Sequence, residues 1–311
     1  MMNAIGGYHA LELNVGEHYH KDAIPLNTAR NCLEYILKSR QYTKVFVPYY
    51  TCDAIIEPFT KLNISYEFYR IDKRLEPRQL PNLNRNEAFL YTNYFGLKNE
   101  YLIKLANHYG HQLIVDNSQA FFDRPISGID TFYSPRKFFG VPDGGFLYTD
   151  CKLNTIFEQD VSFTRALHLL KRIDISPEAG YEDFKNAEQS LSNQPIKRMS
   201  KLTDSILRNI DYIEHIKRRR ANYLELIDIL GSKNELVLEL SEDSVPLAYP
   251  FKTKKTDLKN LLISKRIFIP TYWPNIKEWC KQGEFEFELM TAILPLPLTH
   301  SLKPQLLTQL F

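Results

Sequence analysis

Ile114-Val115-Asp116-Asn117-Ser118-Gln119-Ala120 joins a short apolar run to turn chemistry, with an aspartate at the junction. Residues 112–115 read as a strand, so Asp116 falls at its carboxyl end. Working outward, residues 100–108 have helical spacing, 89–92 and 64–71 read as strands, and Asp53 opens a helix over 54–62. Lys44-Val45-Phe46-Val47-Pro48 is a further strand, preceded by a helix that Thr28 caps and that carries Leu33, Ile36 and Leu37. Helix and strand alternating over residues 25–150 is the rhythm of an α/β sheet. Parallel sheets bind ligands beyond the carboxyl ends of their strands, so Asp116 stands where chemistry is usually done. The alternative is a turn or helix-cap aspartate, because Asp-Asn-Ser is common turn chemistry.

Beyond residue 150 the strand rhythm fades, and residues 160–200 mix polar and apolar positions around a flexible centre near 177–180. A long helix follows, striped by Ile206, Ile210, Ile213, Tyr223, Ile227 and Leu230, with Lys217-Arg218-Arg219-Arg220 reading as a solvated face. Strand-like 236–240 and 245–251, a helix over 258–264 and apolar 292–298 complete a smaller α+β unit.

The 311 residues suffice for one large domain, or for a large and a small one packed together. Thirty-nine basic against 37 acidic residues leave a formal charge of +2, which gives no overall bias toward nucleic acid or anionic membrane. With 44% apolar and 24% charged residues the chain is of ordinary globular composition. Its 12 glycines form neither a Walker-type loop nor G-x-G-x-x-G. Cys32, Cys52, Cys151 and Cys280 form no C-x-x-C pair, so no metal site or disulfide framework is signalled and a reducing cytoplasm suits them. The N-terminal Met1-Met2-Asn3-Ala4-Ile5-Gly6-Gly7 lacks a leader pattern, and no apolar run is long enough to span a bilayer, so the expectation is a cytoplasmic protein without a membrane partner.

An acid at a strand end, followed by Thr131-Phe132-Tyr133-Ser134-Pro135-Arg136-Lys137 and Asp143-Gly144-Gly145, suggests a pyridoxal phosphate site. A carboxylate beside the pyridine nitrogen keeps it protonated, so the ring accepts electrons from a carbanion. A lysine amine forms the Schiff base with the cofactor aldehyde and afterwards carries a proton, work that calls for a depressed pKa. By spacing alone, a surface lysine after Ser-Pro-Arg is the competing reading of Lys137.

These segments resemble the DegT/DnrJ/StrS family of pyridoxal-phosphate-dependent sugar aminotransferases, of the aspartate aminotransferase fold type, and the resemblance runs over most of the chain. Asp116-Asn117-Ser118-Gln119-Ala120 is similar to the family's Asp-Ala-Ala-Gln-Ala, which implies that Asp116 pairs with the pyridine nitrogen and that Gln119 approaches the cofactor from the same turn. Ser134-Pro135-Arg136-Lys137-Phe138-Phe139-Gly140 is similar to the segment carrying the Schiff-base lysine, which implies Lys137 in that role; relatives with dehydratase activity have histidine there. Thr28-Ala29-Arg30 is similar to the family's Ser-Gly-Thr, which implies phosphate contacts from Thr28, Ala29 and Arg30, and a helix N-terminus is physically suited to an anion. Plain capping by Thr28 is the alternative there. Ser134 is either a further phosphate ligand or a turn former beside Pro135.

Pro48-Tyr49-Tyr50-Thr51-Cys52 is similar to the segment that places an aromatic ring against the cofactor; the usual aromatic position falls on Cys52, so stacking passes to Tyr50, with core packing as the alternative. Asn93-Tyr94-Phe95-Gly96 is similar to another strand-end segment near the substrate, or is a strand followed by a turn. Lys197-Arg198-Met199-Ser200 is similar to the segment that reaches a neighbouring subunit's phosphate; Arg198 has that role or is an exposed arginine at a helix start. His18-Tyr19-His20 lacks the acids or cysteines of a metal site and reads as structural, and Cys52 has no positioned base and is assigned no catalytic role.

The resulting expectation is an α/β fold: a three-layer, mostly parallel large domain of the fold-type I pyridoxal phosphate transferase kind over residues 25–200. Residues 201–311 make a linking helix and a smaller α+β C-terminal domain, which residues 1–24 could join. The resemblance implies an aminotransferase acting on a nucleotide-linked keto sugar with glutamate as amino donor, in amino-sugar or surface polysaccharide biosynthesis. It also implies a homodimer with sites at the interface. The competing class is a degenerate scaffold of the same fold with a regulatory or interaction role, for which the altered phosphate segment speaks.

Overall fold

The computed structural model describes residues 6–14, 16–255, 257–299, 304–307 and 310–311, so Met1 to Ile5 lie outside the described residues. The chain opens with strand β1 (Ile24–Leu26), and Thr28 then starts helix α1 (Ala29–Arg40) by accepting the Asn31 N–H at 3.1 Å through its hydroxyl. α1 buries Cys32, Leu33, Ile36 and Leu37 and ends on Lys38 and Arg40, cations suited to a helix C-terminus. There follow β2 (Lys44–Pro48), a short turn of helix at Asp53–Ile55 continuing into α2 (Ile56–Leu62), β3 (Ser65–Tyr69), β4 (Glu87–Thr92), α3 (Asn99–Tyr109), β5 (Leu113–Asp116), β6 (Asp130–Tyr133) and β7 (Gly145–Tyr148).

These seven strands form one sheet in the order β1-β7-β6-β5-β4-β2-β3. β3, β2, β4, β5 and β6 run parallel, while β7 is antiparallel to both β6 and β1. Alternate strand residues face opposite sides. Val45, Val47, Leu90 and Ile114 pack with α1 and α2 in one core, whereas Phe46, Phe89, Tyr91 and Val115 pack with α3 and the C-terminal elements in another. Apolar layers on both faces make the mostly parallel, three-layer α/β architecture the sequence implies.

After β7 come α4 (Leu167–Asp174), α5 (Tyr181–Ser190), α6 (Lys201–Leu207) and α7 (Tyr212–Leu230). β8 (Ala248–Lys252), α8 (Leu258–Ser264), α9 (Ile276–Trp279), α10 (Phe285–Ala292) and β9 (Ile293–Pro297) finish the chain, with β8 and β9 paired antiparallel as a separate two-stranded sheet.

Three expectations are corrected. The single long helix is two, because the Asp211 side chain accepts the Glu214 N–H at 3.0 Å and starts α7 anew. The basic tetrad is not wholly solvated: Arg219 shares the inward face of α7 with Tyr223 and Leu226, donates to the Leu247 carbonyl at 3.0 Å and lies 4.7 Å over the Phe138 ring. Residues 236–240 form no strand, although Leu236 is buried in the core. Propensity favoured a strand there, but no neighbouring strand pairs with it.

Candidate active site

The turns that leave the parallel strands converge on one cavity of about 560 Å³. Thr92 and Asp116 reach it from the ends of β4 and β5, Thr51 and Cys52 from the turn after β2, and Ser134, Arg136 and Lys137 from the turn after β6. The N-terminus of α1 closes another side through Thr28, Ala29 and Arg30. Its approach depends on glycine: a Cβ on Gly145 would lie 2.6 Å from the Thr28 carbonyl and 2.8 Å from the Ala29 nitrogen. Gly144, at φ +114°, donates its N–H to the Asn27 carbonyl at 2.6 Å and so clamps the start of α1 to the start of β7.

Asp116 is buried, and its Oδ1 accepts the Ser118 N–H at 2.8 Å as well as the Ser118 hydroxyl. Burial raises its carboxyl above the ordinary range, opposed by Ser118 and by the positive charge of Lys137. The aspartate is thus at once a turn former and a carboxylate in the cavity. Gln119 is fixed by the Phe95 N–H, which its Oε1 accepts at 2.7 Å, and Asn93 ties the same region together through Asn117 and Asp123. Lys137 sits in a single turn of 3-10 helix at Pro135–Lys137, exposed toward the cavity, its ammonium 5.9 Å from the centre of the Tyr272 ring.

An acid and a lysine that line one cavity together with helix-terminal N–H groups and a hydroxyl fit a phosphorylated aromatic aldehyde. The Thr28 hydroxyl is occupied with Asn31, so the unspent donors at that end are the N–H groups of Ala29 and Arg30 and the hydroxyl of Ser134.

No protein-family model matches the chain, and no curated protein matches it in sequence. Solved structures do match in three dimensions. DesV from S. venezuelae, in complex with a ketimine intermediate, superposes with a TM-score of 0.60 over 93% of this chain and 82% of that one, at 17% identity. A DegT DnrJ EryC1 StrS aminotransferase from Brucella abortus gives 0.59 over 93% and 84%, at 15% identity. NtdA from Bacillus subtilis, with bound cofactor PMP, gives 0.61 over 93% and 72%, at 14% identity. The fold is the one these aminotransferase structures have.

On this aminotransferase fold the structure brings Thr28, Ala29, Arg30, Asp116, Gln119, Ser134 and Lys137 to one cavity. Arg30 is already engaged, its guanidinium 2.8 Å from Glu57. Two of the residues singled out in the sequence stand apart. Tyr50 is fully buried, packed edge-on against Trp273 at 5.0 Å and tilted against Tyr94, so Trp273 and not Tyr50 faces the cavity. Arg198 is exposed and donates to Gln159 at 3.0 Å, away from the cavity lining.

Sequence reading passed over Arg136, Glu188 and Trp273. Arg136 had a signal, its place beside Lys137; Glu188 and Trp273 arrive from distant elements and had none. His18 and His20 are structural, bonded to Asp204 at 2.7 Å and to the Phe121 carbonyl at 2.6 Å, and among the described residues no three His, Cys, Asp or Glu side chains form a metal-ion set.

Proposed function

We propose that the protein is a pyridoxal-phosphate-dependent aminotransferase that moves an amino group from glutamate onto a keto sugar carried by a nucleotide. The observation that carries this reading is the shared cavity: Asp116 at the end of β5, Lys137 after β6 and the N-terminus of α1 surround one volume. The cofactor supplies, when bound, an aldehyde that captures amines and a ring that takes up an electron pair.

The chain's residues would do the rest. The N–H groups of Ala29 and Arg30 and the Ser134 hydroxyl hold the phosphate, with Thr28 keeping that helix end in place. The Asp116 carboxylate accepts the pyridine N–H, and that cationic partner offsets the cost of burying its charge. Lys137 Nζ is the covalent anchor; once displaced, it moves the proton lost from the donor's α carbon. Gln119 braces the Asp116 turn, and Tyr50 supports Trp273 from behind. Arg198, outside this cavity, would serve the phosphate of a second copy in a homodimer. Residues 25–200 form the cofactor-binding unit in this reading, and residues 201–311 the linking helices and smaller unit. A cytoplasmic amino-sugar pathway, such as one feeding surface polysaccharide, is the setting this reaction fits.

The test is a visible spectrum of the purified protein with added pyridoxal phosphate, then borohydride reduction and peptide mapping. The expected result is a yellow, reducible adduct on Lys137 that glutamate converts to the amine form. Folded protein with no adduct at saturating cofactor would overturn the mechanism and favour the scaffold reading. Asp116→Ala should keep the adduct but slow glutamate conversion at least about a hundredfold.

A further inference from the structure

The cavity contains an acid that the proposed reaction does not use. Glu188, on the inner side of α5, lines the cavity with Phe184 and Gln189 and forms an ion pair with Arg136, the residue before Lys137. Arg136 is largely buried, and its Nε lies in the interior without a hydrogen-bond partner. Burial alone would raise the Glu188 carboxyl; Arg136 first, then Lys137 and Arg30, hold it below its ordinary value. One carboxylate therefore sits in the combined field of Arg136, Lys137 and Arg30, three of the four cations that line this cavity, Lys185 of α5 being the fourth. The segment just after α5 is also tied to α1 and α2, because Arg30 of α1 donates to the Ser192 hydroxyl at 3.2 Å and the Asn193 N–H reaches Glu57 of α2 at 2.9 Å.

A phosphate monoester entering the cavity seeks the same guanidinium that Glu188 holds. Two anions converging on one guanidinium repel one another. We propose that Glu188 is a built-in competitor of the phosphate group: the cofactor's phosphate takes over Arg136 by displacing the Glu188 carboxylate, and α5 yields as it does so. Displacement is a feasible motion, since the outer side of α5 is exposed, the Lys171–Asp183 pair at 2.7 Å holds its amino-terminal end, and the bonds to Arg30 and Glu57 are made only after the helix has ended. No bond to carbon is made or broken; one anion replaces another on the same donors. The inference rests on the cofactor reading for the identity of the phosphate ester, but the competition itself concerns any phosphate.

The experiment is calorimetric titration of the full chain with inorganic phosphate and, separately, with pyridoxamine phosphate, which cannot react with Lys137. Glu188→Gln should tighten both by about tenfold, the size expected when one like charge is removed from a shared site. The gain should shrink to less than about twofold in an Arg136→Gln background, because the cation competed for is then gone. Unchanged or weaker binding in Glu188→Gln overturns the proposal. So does equal tightening with and without Arg136, which would be a long-range charge effect, and so does no binding to any variant at millimolar ligand. Circular dichroism of each variant verifies folding. Borohydride trapping at Lys137 reports separately on the cofactor reading: phosphate competition without any trapped adduct would leave Glu188 a phosphate competitor and remove the aminotransferase.

Discussion

His20 and Asp123 lie against the same ring: His20 is 4.2 Å from the centre of Tyr133, and the Tyr133 hydroxyl donates to the Asp123 carbonyl at 3.0 Å. Burial pushes the Asp123 carboxyl from 3.8 up to about 7, with Asn99 and Asn93 opposing, and pushes the His20 imidazole from 6.5 down to about 3. Native Asp123 keeps a proton that the unfolded chain has already lost, so its share of stability falls as pH rises from 3.8 through about 7. Native His20 refuses a proton that the unfolded chain accepts, so its share rises with pH from about 3 to 6.5. The two slopes oppose one another. Asp123→Asn should therefore steepen the rise of stability with pH relative to wild type by about 1.4 kcal/mol per unit around pH 5, and His20→Gln should tilt the difference the other way. Urea midpoints across a pH series check both signs. Asp116 obeys the acid's sign: its raised carboxyl costs stability at neutral pH, so Asp116→Asn should raise the melting temperature of the protein measured without added cofactor.

At the scale of elements, the start of α1 carries both fold and site. Thr28→Ala should cost about 1 kcal/mol by removing the cap, and Thr28→Ser should restore most of it. Gly145→Ala should cost more, because its Cβ would meet the Thr28 carbonyl at 2.6 Å and push α1 off β7. Denaturant melts rank the three variants. Much of this was legible in the sequence: the Thr28 cap, the strand through Val45 and the aspartate ending β5 are local signals, readable within a few residues. The break before α7 was also local, at Asp211, but the apolar stripe ran across it and concealed it. Residues 236–240 were misread because β propensity describes a surface that fits a sheet, and only the fold says whether a sheet is there.

On the scale of the whole molecule, the outer face of α4 is apolar and uncovered. Leu170 and Ile173 are 57% and 81% exposed, with Phe163 before the helix, and Ile175 and Tyr181 after it, exposed as well. Such a patch marks an interaction surface more often than a solvated one. It adjoins α5, which walls the cavity, and this supports the homodimer proposed above. Leu170→Lys combined with Ile173→Lys should shift the sedimentation coefficient from dimer to monomer and weaken cofactor retention. An unchanged coefficient would place the contact elsewhere. Among the described residues no helix is long and apolar enough to cross a membrane.

The sequence by itself determined the alternating elements, the mostly parallel sheet, and the placing of Asp116 at one strand end and of Lys137 beyond another. Periodicity, caps and turn residues act over short stretches of chain and leave their marks there. Only the tertiary structure decided that Trp273 and not Tyr50 faces the cavity, that Arg198 stands outside it, and that Glu188 meets Arg136. Each of those facts depends on segments separated by tens to hundreds of residues coming within a few ångströms. Their contacts follow from how whole layers pack, which no local pattern encodes.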